Sequence, residues 1–159
     1  MVHQIVSEQI KVAADKAHVL LVEDNSVALH IIETLAAQAG LKFTSAIDGE
    51  SALMLARSYT FDLIITDLGL PGISGYELTS IIRQLEKDLH QQPVPIVGLT
   101  AHALHEVKKE CLQSGMNNIL CKPINLKTIE ALIHQFILEK VPQETILSSL
   151  DLNVMDDTR

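Results

Sequence analysis

Short apolar runs alternate with stretches of helical periodicity from about His18 to about Leu138. Val19-Leu20-Leu21-Val22 is uninterrupted and ends in Glu23-Asp24, the pattern of a strand buried on both faces. Asn25 or Ser26 then offers a cap for a helix on which Ala28, Ile31, Ile32, Leu35 and Ala39 recur, and Gly40 stops it. Four further cycles follow. Lys42 to Ala46 predicts a second strand, and Asp48-Gly49 opens a helix carrying Ala52, Leu55 and Ala56. Phe61 to Thr66 predicts a third strand ending at Asp67. After the loop Leu68-Gly69-Leu70-Pro71-Gly72 comes a helix with Tyr76, Thr79, Ile82 and Leu85. Ile96 to Leu99 predicts a fourth strand ending at Thr100, followed by a helix turning Leu104, Val107 and Cys111 inward and stopping at Gly115. Asn118 to Cys121 is the fifth, ending at Lys122-Pro123, and Asn125 opens a last helix with Ile129, Leu132, Ile133 and Phe136 on one side.

Five strands each followed by a helix predict an α/β fold, a (βα)5 doubly wound parallel sheet, because parallel strands need crossover connections. In such a sheet ligands bind beyond the carboxyl ends of the strands. Glu23, Asp24, Asp67, Thr100 and Lys122 all fall at those ends. Residues 18–138 form the expected domain, residues 1–17 a helical extension or linker, and residues 139–159 a C-terminal tail or linker.

Composition narrows the partners. Twelve Lys and Arg against twenty Asp and Glu leave a net charge of −8, and 47% of the chain is hydrophobic, the level of a packed domain rather than a disordered one. An acidic chain without Trp offers no basic stripe for a phosphate backbone and few rings for base stacking, so direct nucleic-acid binding is not expected. Apolar runs are too short to span a bilayer. Two cysteines, Cys111 and Cys121, fit a reducing, cytoplasmic setting and read as small core residues.

Three clustered carboxylates repel one another, at about 4 kcal/mol for two unit charges ~4 Å apart in an effective dielectric of 20. A hard cation relieves this, and all-oxygen donors favour Mg²⁺. Lys122 adds a compact positive charge and Thr100 a hydroxyl. Together these groups can hold a phosphoryl group, and Asp is itself a competent nucleophile for an acyl phosphate.

Four segments resemble the receiver domain of two-component response regulators, in order and at the spacing of that family: Leu20-Leu21-Val22-Glu23-Asp24-Asn25, Ile65 through Gly75, Gly98-Leu99-Thr100-Ala101 and Cys121-Lys122-Pro123. The resemblance implies a flavodoxin-like fold. It implies Asp67 as phosphoacceptor from a partner phosphohistidine, with Thr100 and Lys122 on the phosphoryl oxygens. It also implies Mg²⁺ bound by Asp24, Asp67 and the backbone carbonyl of Gly69, with Glu23 acting through water, and a cis Lys122–Pro123 bond. The implied partners are a sensor histidine kinase or a histidine-phosphotransfer domain, with homodimerisation compatible with the family. Phosphorylation would draw in Thr100 and repack the face built by the fourth-repeat helix, the fifth strand and the last helix. An isolated domain of this kind catalyses only its own phosphorylation and dephosphorylation.

Many receivers carry Tyr or Phe three residues before the Lys, as a rotamer switch coupled to the Thr, whereas this chain has Ile119. The Gly98–Ala101 segment and the Ser114-Gly115-Met116-Asn117-Asn118 turn are similar to receivers of hybrid sensor kinases. The expected context is therefore a hybrid-kinase fragment, tethered to a membrane through its parent, or a single-domain regulator.

Other chemistries fit less well. A haloacid-dehalogenase-type phosphatase needs an Asp two positions after its nucleophile, where this chain has Gly69. A flavodoxin-like carrier needs a hydroxyl-rich loop where Glu23-Asp24 stand, and Gly-x-Gly-x-x-Gly is absent. His102 and His105 lack a third ligand at metal spacing and read as exposed helix histidines. The remaining alternative is a receiver-like interaction module that is never phosphorylated.

Overall fold

The computed structural model describes residues 2–138. The proposed tail over residues 139–159 lies outside the described residues. Helix α1 (Val2–Lys16) precedes the repeats β1 (His18–Val22), α2 (Ser26–Gln38), β2 (Lys42–Ala46), α3 (Gly49–Ser58), β3 (Leu63–Asp67), α4 (Gly75–Asp88), β4 (Ile96–Thr100), α5 (Leu104–Ser114), β5 (Asn118–Cys121) and α6 (Leu126–Leu132). A wider π-helical stretch, Ile133–Leu138, continues α6. The strands form one parallel sheet in the order β2-β1-β3-β4-β5. Strand order reverses between β1 and β3, the point where a crevice opens above such a sheet.

Alternation along the strands feeds two cores. Val19, Leu21, Leu63, Ile65, Val97 and Leu99 face α2 and α6. Leu20, Val22, Ile64 and Ile96 face Leu78 and Ile82 of α4 and Cys111 of α5. Both faces are therefore apolar, which is why the strands read as continuous hydrophobic runs. Helix starts are fixed by side chains accepting backbone N–H groups: Asn25 from Ala28, Asp48 from Ser51, Ser74 from Glu77 and Asn125 from Thr128. Gly115, at φ +98°, closes α5 in the left-handed conformation.

Three sequence expectations change. Ile31 is 50% exposed, because the buried face of α2 runs through Leu29, Ile32 and Ala36 instead. The third strand starts at Leu63 rather than Phe61: Phe61 is buried beneath the sheet, and Asp62 N–H donates to His18 O to begin the pairing. Cys121 is exposed, since β5 leaves the packed layer at its last residue, while Cys111 is buried as expected. Burial pushes the Cys111 thiol up to about 12, which leaves it a neutral packing group. Of the two readings of residues 1–17, the helical one is found: residues 2–16 form a helix whose Ile10 and Ala14 join the core shared with α2 and α6.

Candidate functional site

Parallel pairing brings the strand ends abreast. Val22 pairs with Thr66, Asp67 with Leu99 and Thr100 with Cys121, so the residues at or just past those positions share one edge. Pairing continues beyond the strands, with Glu23 N–H donating to Ala46 O and Leu68 N–H to Leu99 O. The acidic residues are thus held by the sheet rather than by a free loop.

Carboxylate oxygens of Glu23, Asp24 and Asp67 lie within 4.8 Å of one another, as the sequence places them. Among the described residues, no other group of three or more His, Cys, Asp or Glu side chains converges this way. Lys122 bridges two of the acids, its Nζ 2.5 Å from Glu23 Oε1 and 3.0 Å from Asp67 Oδ1. Glu23 is fully buried, Asp67 half-buried and Asp24 exposed. The site therefore grades from a shielded base to an open rim.

Burial pushes the Glu23 carboxyl above its ordinary 4.5, the Lys122 hydrogen bond pulls it back, and the Asp67 charge raises it again. Lys122 loses solvation too, yet its bonds to Glu23 and Asp67 outweigh that and hold the ammonium above its ordinary 10.5. Lys122 is therefore fully cationic at neutral pH. With all three acids ionised the cluster carries a formal −3 + 1 = −2. Each carboxylate pair repels by about 3.5 kcal/mol at that spacing and an effective dielectric of 20. A hard divalent cation matches both the charge and the oxygen donors.

Thr100, 2% exposed, accepts from the His102 N–H through its hydroxyl at 3.0 Å, and its carbonyl accepts from Lys122 N–H at 2.7 Å. The hydroxyl proton is left to donate. Helix α5 has no side-chain cap, so Thr100 serves the loop rather than the helix start. Gly69 is exposed, and a Cβ there would meet only Asp67 Oδ2, at 4.0 Å. No side chain hangs over that oxygen from position 69. Ala101 is likewise small and exposed. The Lys122–Pro123 peptide is cis. His102 and His105 are exposed and, among the described residues, belong to no group of three metal-ligating side chains.

Two features escaped the sequence reading. Arg83 donates to Gly115 O, Glu86 Oε1 and Asn117 Oδ1, and Glu86 Oε2 accepts from Val94 N–H, tying α4 to the loops that flank β4 and β5. Only the i,i+3 spacing of Arg83 and Glu86 hinted at it. Glu50 reaches the β3–α4 loop and accepts from Ile73 N–H. No local pattern signals that contact.

Comparison with known proteins agrees with this geometry. The sensor histidine kinase GacS of Pseudomonas protegens is 40% identical over 115 residues, 72% of this chain and 12% of that protein. The chain thus spans about an eighth of that relative's length. The receiver domain of Ssk1 from Saccharomyces cerevisiae, crystallised with the histidine phosphotransfer protein Ypd1, superposes with a TM-score of 0.74 at 32% identity, covering 80% of this chain and 93% of that one. The receiver domain of a sensor histidine kinase from Pseudomonas aeruginosa, solved with magnesium coordinated in its active-site cleft, superposes with a TM-score of 0.67 at 34% identity, covering 77% and 98%. No described helix is long and apolar enough to cross a membrane. The family model described as response regulator receiver domain matches residues 19–134. On that match, and on an acidic edge built where this fold builds one, the chain belongs to the response regulator receiver family.

Proposed function

We propose that this chain is the phosphoacceptor of a two-component phosphorelay, taking a phosphoryl group from a partner phosphohistidine onto Asp67. The observation that carries the reading is Lys122 Nζ lying between the buried Glu23 and Asp67 at the mouth of a three-carboxylate cluster. A purely structural sheet edge has no use for three mutually repelling acids.

In the reaction, an ionised Asp67 oxygen attacks phosphorus. The O–P bond forms as the N–P bond to the partner imidazole breaks, and the imidazole leaves with its electron pair. Lys122 neutralises charge on the phosphoryl oxygens, and Thr100 donates its hydroxyl proton to one of them. Asp24, Asp67 and the Gly69 carbonyl would hold Mg²⁺ directly, with Glu23 acting through water. When bound, that ion supplies neutralisation of the phosphoryl charge and of the acidic cluster. The open space beside Gly69 and Ala101 leaves Asp67 accessible in line, to the donor and later to a hydrolytic water.

Once Thr100 turns toward the phosphoryl group, its acceptor contact with the His102 N–H is lost and the β4–α5 loop shifts. That movement repacks the surface of α5, β5 and α6 that partners read. Ile119 is fully buried, so the signal passes through this loop rather than through an aromatic rotamer. Supporting the partner class are the Ssk1 receiver, crystallised with a histidine phosphotransfer protein, and GacS, a sensor histidine kinase. The same likeness supports reading residues 18–138 as part of a hybrid kinase or as a single-domain regulator, in a cytoplasmic setting.

Intact-mass measurement after incubation with acetyl phosphate and Mg²⁺ tests this. One phosphoryl group is expected on the native chain and none on Asp67→Asn. No gain with acetyl phosphate or a phosphorylated histidine-phosphotransfer protein would leave an interaction module without phosphoryl chemistry.

A further inference from the structure

The β3–α4 loop, residues 68–74, is fixed at its base by its own backbone, with Gly75 N–H donating to Leu68 O at 3.0 Å. Its far side leans on a different element. The first turn of α3 approaches so closely that a Cβ on Gly49 would sit 2.5 Å from Ile73 O. From the next position, Glu50 Oε1 accepts from Ile73 N–H at 3.2 Å across 23 residues of sequence. The same carboxylate lies against Gly72, held at φ +69°, where a Cβ would meet Glu50 Oε1 at 2.6 Å. Glu50 is itself exposed, but its backbone is anchored: Asp48 caps the helix, and Ala52 is buried beneath it. Within this loop, between the base and the Glu50 contact, lies Gly69.

We infer that Glu50 is a positioning residue for the metal site: its carboxylate tethers Gly72 and Ile73 and so sets where the Gly69 carbonyl points. Glu50 touches neither the ion nor the phosphoryl group and acts only through the loop. The inference rests on the proposed role of Gly69, and it adds a residue from α3 to a site otherwise built from strand ends.

Three proteins decide it: the native chain, Glu50→Ala, and Glu50→Gln, which keeps an Oε1 acceptor but no charge. Amide exchange at Ile73 is followed by NMR without metal, Mg²⁺ affinity by calorimetry at fixed ionic strength, and folding by thermal melting. Loss of one exposed hydrogen bond predicts Ile73 exchange and Mg²⁺ dissociation constant both rising about fivefold in Glu50→Ala, with melting little changed. Glu50→Gln should stay within about twofold of native on both readouts. Native-like exchange and affinity in Glu50→Ala would overturn the tether. Equal weakening of Mg²⁺ binding in both variants, with Ile73 exchange unmoved, would overturn it in favour of a plain charge effect. If the native chain binds no Mg²⁺ and gains no phosphoryl group, the phosphoacceptor reading and the metal role of Glu50 fall together, while the exchange ratio still decides the tether itself.

Discussion

Replacing Lys122 with Met removes the cation from Glu23 while keeping much of the stem. Glu23 has no exposed surface, and its carboxyl already titrates above 4.5 because burial outweighs the Lys122 hydrogen bond. Without that bond and charge its pKa climbs further. A buried ion left without its partner costs about 3–5 kcal/mol. The variant has an escape, however, because Glu23 can take up a proton. Relative to the unfolded chain, where it titrates near 4.5, holding that proton costs about 1.4 kcal/mol per pH unit, or about 3.4 kcal/mol at pH 7 and about 0.7 kcal/mol at pH 5. The loss is therefore capped, and the cap depends on pH.

The sign follows from proton counting. A folded-state pKa raised above the unfolded one means the folded chain binds more protons, so stability falls as pH rises from 4.5 through the raised value. Lys122 is also raised, from 10.5, so its own contribution is intact below that and is lost only as pH rises through the folded value. Between pH 5 and pH 7 Lys122 stays cationic in the native chain and pulls the Glu23 pKa below that of the variant, which lacks it. Urea unfolding followed by far-UV circular dichroism, in chelator, should show a stability gap between native and Lys122→Met that widens by up to about 1.4 kcal/mol per unit from pH 5 to pH 7. A gap of constant size over that range would refute the reasoning, because it would mean that Glu23 does not change protonation when Lys122 is gone.

Three further substitutions test other parts of the site and its support. Gly75→Ala places a Cβ against Asp67 O and Leu68 Cα, backbone that cannot yield, so a loss of about 1–3 kcal/mol is expected in urea unfolding, together with weaker Mg²⁺ binding. Ile119→Tyr supplies the aromatic that many receivers carry, yet the neighbouring space is full: a Cβ on Gly98 would already lie 2.7 Å from Leu68 Cδ2 and 2.8 Å from Met116 Sδ. The expected result is destabilisation by about 1–3 kcal/mol with no gain in phosphorylation yield, and a neutral or stabilised variant would contradict the packing argument. Ala14→Glu buries a carboxyl where α1 meets the core, and should lower stability by about 2 kcal/mol, while a shift below about 0.5 kcal/mol would show that α1 does not dock in solution.

What the sequence made legible follows from which interactions are repetitive. A parallel strand covered on both faces must be apolar throughout, so Val19–Val22 and Ile96–Leu99 announced themselves, and strand ends in such a sheet must converge. Glu23, Asp24, Asp67, Thr100 and Lys122 could therefore be grouped before any distance was known, and the distances bring the three acids and Lys122 together. Phase within a helix was less legible. Leu29, Ile31 and Ile32 are all apolar, and only the packing against the sheet selects Leu29 and Ile32 over Ile31. Strand ends blur for a similar reason: Phe61 is buried without pairing in the sheet, whereas Cys121 pairs but lies beyond the packed layer. Contacts from a helix side chain to a distant loop left little trace. Arg83 meets Asn117 across 34 residues and Glu50 meets Ile73 across 23, each through a single side chain reaching an atom that no periodicity marks. The fold thus gathers its acidic groups and Lys122 through regular pairing and fastens the surrounding loops through irregular contacts. Substitutions at the strand ends should abolish function, while those at the loop contacts should tune it.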